Sequence, residues 1–418
     1  MIGYQFWEIA RSKYPIRTPI ESSHNSVPKV RLRIVLHLSK TNADVVIIGG
    51  GVIGCSIAYF LAKNHGIRAI ILERDAVASA ASGSAAGELA ALGRRQYSDD
   101  FSKFILAGIQ MHGDLYEEIV QISGIDYLLS DIEQVRPAFT SVEVSELKEQ
   151  MVWQNSFLGL EAEWLKTTDL RSDYPWISHN VLGGVVTLEK QLESYAFCIA
   201  LLQAGETLGV RLKTANVVGV ASEGNVVTGV KISDGGMVGT NCVVLANGPW
   251  ASIGAEWFGH AIPMIPLKGQ IVHTATASDL DLPRYSIFHN SAYVLPKPGG
   301  DLLLGTTDED VGFNNTPTED AKNLIMEAAL RLAPSLLDAE VRYITACLRA
   351  YSSDGLPILG KIPGWEGSYF ATGHGHKGIT LALITGNAIA DHVANGESQI
   401  DLKNFALTRF QNLQENIT

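Results

Sequence analysis

Asp44-Val45-Val46-Ile47-Ile48-Gly49-Gly50-Gly51-Val52-Ile53-Gly54 is the stretch whose reading decides the fold. Its β-branched run has the pattern of a parallel strand buried on both faces. A G-x-G-x-x-G turn follows at once, from Gly49 to Gly54. Residues 55–63 then read as a helix, with Ile57, Phe60 and Leu61 on one face. Residues 68–72 (Arg-Ala-Ile-Ile-Leu) read as a second strand that ends on Glu73. Glu73 stands 19 residues after Gly54, close to the ~20 of a dinucleotide-binding βαβ unit.

Each residue type has a physical task here. Gly49 permits a tight turn, Gly51 lets the backbone approach a pyrophosphate, and Gly54 lets helix pack closely on strand. The helix start at Val52 and Ile53 offers free N–H groups and a partial positive charge to phosphate. Glu73 accepts from a ribose hydroxyl and repels a 2′-phosphate, which disfavours NADP. A glycine motif alone is weak evidence. A strand before it, a helix after it and an acid at the right distance make it a dinucleotide site.

The rest of the chain sets bounds. Residues 45–62 carry no charge and reach the length of a membrane span. Glycines at 49, 50, 51 and 54 interrupt them, so strand, turn and helix is the better reading, and no transmembrane span is expected. With 418 residues, 46% of them hydrophobic, the chain has material for about two or three domain-sized units. A net charge of −12 argues against a nucleic-acid partner, which needs a basic surface. Cys55, Cys198, Cys242 and Cys347 form no C-x-x-C pair, so neither a metal site nor a disulfide framework is indicated. A reducing, cytoplasmic setting fits, with peripheral membrane attachment left open. Residues 1–40 form a basic extension, with seven Lys and Arg against two Glu and no apolar secretory core. A loose arm, an organelle presequence, a partner-binding tail and an over-long start all fit it.

The segment after the second strand separates FAD from NAD. Residues 78–89 (Ala-Ser-Ala-Ala-Ser-Gly-Ser-Ala-Ala-Gly-Glu-Leu) let backbone N–H groups approach a large flat or anionic ligand. Further motifs follow in order. They are 243–250 (Val-Val-Leu-Ala-Asn-Gly-Pro-Trp), 266–270 (Pro-Leu-Lys-Gly-Gln) and 305–313 (Gly-Thr-Thr-Asp-Glu-Asp-Val-Gly-Phe). Residues 348–360 (Leu-Arg-Ala-Tyr-Ser-Ser-Asp-Gly-Leu-Pro-Ile-Leu-Gly) and 371–382 (Ala-Thr-Gly-His-Gly-His-Lys-Gly-Ile-Thr-Leu-Ala) complete the series. From about residue 43 onward the chain resembles the FAD-dependent glycine oxidase and D-amino-acid oxidase superfamily. That superfamily includes D-amino-acid dehydrogenase-like and sarcosine oxidase-like members.

The resemblance implies an α/β (α+β, two-domain) fold. A Rossmann-type FAD-binding domain would comprise residues 41–90, 188–254 and 343–395, including strands near 208–212 and 225–232. An antiparallel-sheet substrate domain would interleave with it as 91–187 and 255–342, leaving 396–418 as a tail. Helical spacing over 101–122 and 318–332 falls in the substrate pieces. FAD contacts are implied for Gly49, Gly51, Val52, Ile53, Gly54, Glu73 and Arg74, and for Ser82, Ala86 and Gly87. Further contacts fall on Val217, Ala246, Gly248 and Trp250, then on Gly373, His374, Gly375, Lys377, Gly378, Ile379 and Thr380, with Arg349 at the edge. The glycine–histidine turn is expected to open a helix aimed at the flavin.

The implied reaction removes a hydride from Cα–H of a small amino acid or secondary amine (glycine, sarcosine, a D-amino acid or an imino acid). Flavin N5 accepts it, and water hydrolyses the imine that remains. Arg349 matches the family arginine that pairs with the substrate carboxylate, where a guanidinium fork makes two parallel bonds. Tyr293 matches a tyrosine on the same carboxylate. His376 stands where glycine oxidases usually carry arginine, and the Gly-His-Gly-His form is closer to D-amino-acid dehydrogenases. His374 either serves the flavin or braces the turn. Cys347 aligns with a cysteine that tethers flavin in monomeric sarcosine oxidase; a buried apolar thiol with non-covalent FAD is the expected state. O2, a quinone or a partner protein remain open as electron acceptor. A homo-oligomer, or a place as flavoprotein subunit of a hetero-oligomeric amine dehydrogenase, also remains open.

Overall fold

Val45, Val46, Ile47 and Ile48 are all buried because their strand is central. In the computed structural model, which describes residues 41–91, 96–157, 159–275, 283–298 and 300–410, Val45–Ile48 pairs in parallel with two neighbours. These are Ala69–Glu73 on one side and Val243–Leu245 on the other. Arg211–Thr214 and Ser368–Thr372 extend the sheet in parallel at either end, and Ile358–Lys361 adds an antiparallel edge. The basic extension 1–40 and residues 411–418 lie outside the described residues.

Helix Val52–His65 buries 11 of its 14 residues. It is wedged between helices Ser194–Thr207 and Ala382–Asn395, which explains its nearly all-round apolar character. Gly66, at φ +65°, ends it: Gly66 N–H reaches Ala62 O and Ile67 N–H reaches Leu61 O.

The second sheet is larger. From one edge its strands run Glu340–Ser352, Met264–Ala275, Leu302–Gly305, Ala292–Pro296, Tyr285–His289, Ser130–Ala138, Gly183–Gln191 and Ala162–Lys166. All of these pairs are antiparallel except Tyr285–His289 with Ser130–Ala138. Period-two alternation splits its side chains. Ile287, Val294 and Val135 pack with helix residues Ile325, Ala329 and Leu332. Ile132, Ile271, Phe288, Tyr293, Leu295 and Leu303 form a cluster on the opposite face.

Three expectations about segment placement change. Residues 343–352 belong to the large sheet, because Glu340–Ser352 pairs with Met264–Ala275 along its length. Residues 188–191 are likewise the end of a large-sheet strand, Gly183–Gln191. The expected strand near 225–232 is present as Val226–Ile232, in an antiparallel meander with Val217–Glu223 and Met237–Gly239. Helix Asp99–Ser123 packs on Ser194–Thr207 and Ala382–Asn395, beside the parallel sheet. For residues 343–352, residues 188–191 and helix Asp99–Ser123, backbone pairing or an apolar helix face chose a partner distant in sequence.

Candidate active site

The glycine turn is built by exclusion of side chains. Gly49 has φ +110°, and a Cβ there would stand 2.6 Å from Ala246 O. A Cβ at Gly54 would collide with Gly49 O. Glu73 closes the turn from beyond the second strand. Its Oε2 accepts from Gly50 N–H at 2.7 Å, and its Oε1 accepts from Asp75 N–H at 2.9 Å. Ser82 Oγ accepts from Val52 N–H at 2.9 Å, so the small-residue segment docks on the helix start. Lys297 Nζ donates to Ala86 O (2.9 Å), and Lys377 Nζ donates to Ala90 O and to Ala91 O (3.1 Å), which anchors that segment.

A cavity of about 660 Å³ lies between this turn and the inner face of the large sheet. That volume falls in the usual range for ligand sites. Among the residues expected at the site, all line the cavity except Gly54 and Gly373. Gly54 acts behind the turn, as its contact with Gly49 shows. Gly373 takes φ +77° at the end of strand Ser368–Thr372. Residues 375–377 then make one 3-10 turn, and the following helix starts only at Ala382. The glycine–histidine turn therefore precedes that helix rather than opening it directly.

The turn, Glu73 and the small-residue segment fit a flavin dinucleotide. Their glycines leave the backbone bare toward the cavity, and Asn247 Oδ1 is buried on its wall with no hydrogen-bond partner among the described residues. Arg74 sits over the Trp250 ring at 4.9 Å, and both line the cavity, as does Val217.

At the sheet end, two more glycines make room for the Arg349 and Tyr293 side chains. A Cβ at Gly269 would strike the Arg349 guanidinium, and one at Gly305 would strike the Tyr293 ring. Arg349 Nη1 donates to Asp308 Oδ1 (2.7 Å) and Thr307 O (3.1 Å), while Nη2 donates to Thr306 Oγ1 (2.9 Å). His376 Nε2 lies 2.9 Å from the same Asp308 oxygen, and its ring meets Tyr351 edge-on at 5.8 Å. Tyr293 stacks with Phe288 at 6.4 Å. Sequence reading brought together Arg349, Tyr293 and His376 but missed Asp308, Glu88 and Gln134. Asp308 stands inside the 305–313 motif, yet nothing in its spacing marks it as the partner of Arg349.

Two buried histidines take structural parts. His374 Nε2 lies 3.1 Å from Thr385 Oγ1, and burial pushes the ring down to about 3, so it braces the turn as a neutral group. His112 faces Ile379 O at 3.0 Å, and burial pushes it down to about 4. Burial of the Cys347 thiol raises it above its ordinary value although Arg349 pulls the other way, which keeps it protonated and a poor nucleophile. Glu189, deep under Ala91, is pushed by burial up to about 7.

A glycine turn closed by an acid, facing an apolar sheet wall that carries a fixed cation, defines a dinucleotide-cofactor enzyme. Residues 44–392 match the family model described as DAO, FAD dependent oxidoreductase. The chain belongs to that family, and its cofactor is FAD. It is 30% identical over 371 residues to a glycine oxidase of Geobacillus kaustophilus, covering 88% of this chain and 97% of that protein. A crystal structure of glycine oxidase from the same organism has a TM-score of 0.83 at 29% identity, covering 88% of this chain and 99% of the other. A hydrogen cyanide synthase subunit of Pseudomonas protegens is 29% identical over 406 residues, covering 88% and 96%. Among the described residues no helix is long and apolar enough to cross a membrane.

Proposed function

We propose that this protein oxidises the carbon–nitrogen bond of a small amino acid or amine that carries a carboxylate. The observation that carries this reading is the convergence of Arg349 and Tyr293, over Gly269 and Gly305, on the cavity that the glycine turn lines. Bound FAD supplies a two-electron acceptor for the hydride lost from Cα–H. The parallel sheet and its glycine turn hold the cofactor through Gly49, Gly51, Val52, Glu73 and Ser82. The large sheet holds the substrate.

Among the described residues, Arg349 keeps two of its five N–H donors beyond those bonded to Asp308, Thr306 and Thr307. Those two take the carboxylate, and the Tyr293 hydroxyl adds a third bond. His376 shares Asp308 with Arg349 and so positions the guanidinium. Phe288, Leu295 and Ile271 give an apolar wall that excludes water from the reacting carbon. The neutral His374 holds the turn and moves no proton.

Glycine, sarcosine, D-amino acids and imino acids are the candidate substrates, and O2 is the acceptor in the first reading. A cytoplasmic setting accords with four free thiols. The test is anaerobic addition of each amine to the yellow holoprotein, followed by stopped-flow mixing with air. Bleaching by at least one amine is expected. No bleaching by any of them would remove the reaction. Reoxidation in air slower than turnover would move the acceptor to a quinone or partner protein.

A further inference from the structure

Gln134 lies in the middle of strand Ser130–Ala138, 1% exposed, and lines the cavity. No described residue gives a hydrogen-bond partner to either its Oε1 or its Nε2. A buried amide left in that state has lost its water partners without replacement, so it calls for an occupant. Its strand neighbours define where it points. Ile132, two residues before it, packs with Phe288, Tyr293 and Leu295 on the cavity face, whereas Val135 packs on the helix side. Ser286 is its register partner, and Ser286 Oγ donates to Glu88 Oε1 at 2.5 Å. Glu88 lines the same cavity from the small-residue segment.

We infer that Glu88 and Gln134 form a second polar subsite, which takes a hydrogen-bond-donating end of the substrate: a terminal ammonium or amide. The inference rests on the reading of the cavity as an amino-acid site and adds to it the chemistry of the side chain. Glu88 accepts only, and Gln134 offers an oxygen that accepts beside an NH2 that donates, so the two oxygens hold an ammonium and an amide end also returns an acceptor to Nε2. Reach selects length. The Gln134 strand is two strands from that of Tyr293, or about 10 Å at strand spacing. Glycine, held by its carboxylate at Arg349 and Tyr293, ends well short of it. A side chain of lysine or glutamine length spans the gap. The apolar stretch between, made by Phe288, Leu295 and Ile271, suits the methylenes of such a chain.

The test compares pairs that differ only at the far end. Binding of 6-aminohexanoate and of hexanoate, neither of which has an α-amine to oxidise, is measured by perturbation of the flavin spectrum of the oxidised holoprotein. Lysine and norleucine of both hands are compared for kcat/KM. The wild type should prefer the donor-ended member of each pair tenfold or more. Gln134→Met and Glu88→Gln should each cut that ratio severalfold. Gln134→Met should hold or raise Tm, since it removes an unpaired buried amide, and a purely structural glutamine would instead lower Tm and leave the ratio alone. Equal binding of the two carboxylates by the wild type, or ratios unmoved in both variants, would overturn the subsite. If no amine turns over while the 6-aminohexanoate preference stands and falls with Gln134, the subsite holds and the proposed reaction fails.

Discussion

Arg349 Nη1 donates to Asp308 Oδ1 at 2.7 Å, and His376 Nε2 stands 2.9 Å from that same oxygen. The cation at the sheet end already has an anionic partner, and under the proposed function an incoming carboxylate would share the guanidinium with Asp308. The Arg349 side chain is 12% exposed and Asp308 34%, which keeps the pair from full solvent screening.

Substitution at this pair separates binding from repulsion. Arg349→Ala leaves a carboxylate substrate unpaired, and KM should rise by an amount worth about 2–4 kcal/mol. Asp308→Asn removes the competing anion, and KM for the same substrate should fall by about 1–2 kcal/mol, roughly five- to thirtyfold. Steady-state kinetics on one carboxylate substrate checks both, and an unaltered KM in Arg349→Ala would assign the role to another group.

The turn tolerates no added methyl at Gly54, where a Cβ would run into Gly49 O. Gly54→Ala should lose about 1–3 kcal/mol of stability and release FAD. Tm and the ratio of visible to ultraviolet absorbance report the two effects separately. Glu73→Ala deletes the acceptor of Gly50 N–H and should weaken FAD retention with little loss of Tm in the FAD-free protein.

Stability should fall in acid. His374 and His112 stay neutral when folded, down to about 3 and 4, but titrate near 6.5 when unfolded. The unfolded chain therefore binds more protons below pH 6.5, and native stability drops as pH falls from 6.5 toward 4, by about 3 kcal/mol for each histidine. Glu189, raised to about 7, acts in the opposite sense, favouring the fold below 4.5 and losing that contribution as pH rises toward 7. Denaturant midpoints at pH 7, 5.5 and 4.5 should show the decline, and His112→Gln should flatten it. A flat wild-type profile would refute the neutral-histidine account.

Cys347 lines the cavity with a protonated, buried thiol. The acid-denatured polypeptide should have the mass of its sequence alone, and Cys347→Ser should stay yellow after purification. A mass increased by that of the flavin would show a covalent tether instead.

Local chemistry was legible in the chain. The run 44–54, with Glu73 downstream, dictates strand, turn and helix because glycine geometry, β-branching and a fixed spacing act over short distances. Helices near 101–122 and 318–332 were visible for the same reason and appear as Asp99–Ser123 and Glu319–Leu332, the latter capped by Thr318. Sheet membership was not. By resemblance the motif containing Arg349 falls in the nucleotide half, yet its strand pairs with Met264–Ala275. Alternation tells that Gln134 and Val135 face opposite ways, but not which of them looks into the cavity. The pairing of Arg349 with Asp308, 41 residues apart, and of Glu88 with Ser286, 198 apart, exists only once strands choose partners. Register between distant strands sets such contacts, through the summed burial of a whole sheet face, and no single stretch of sequence contains that sum.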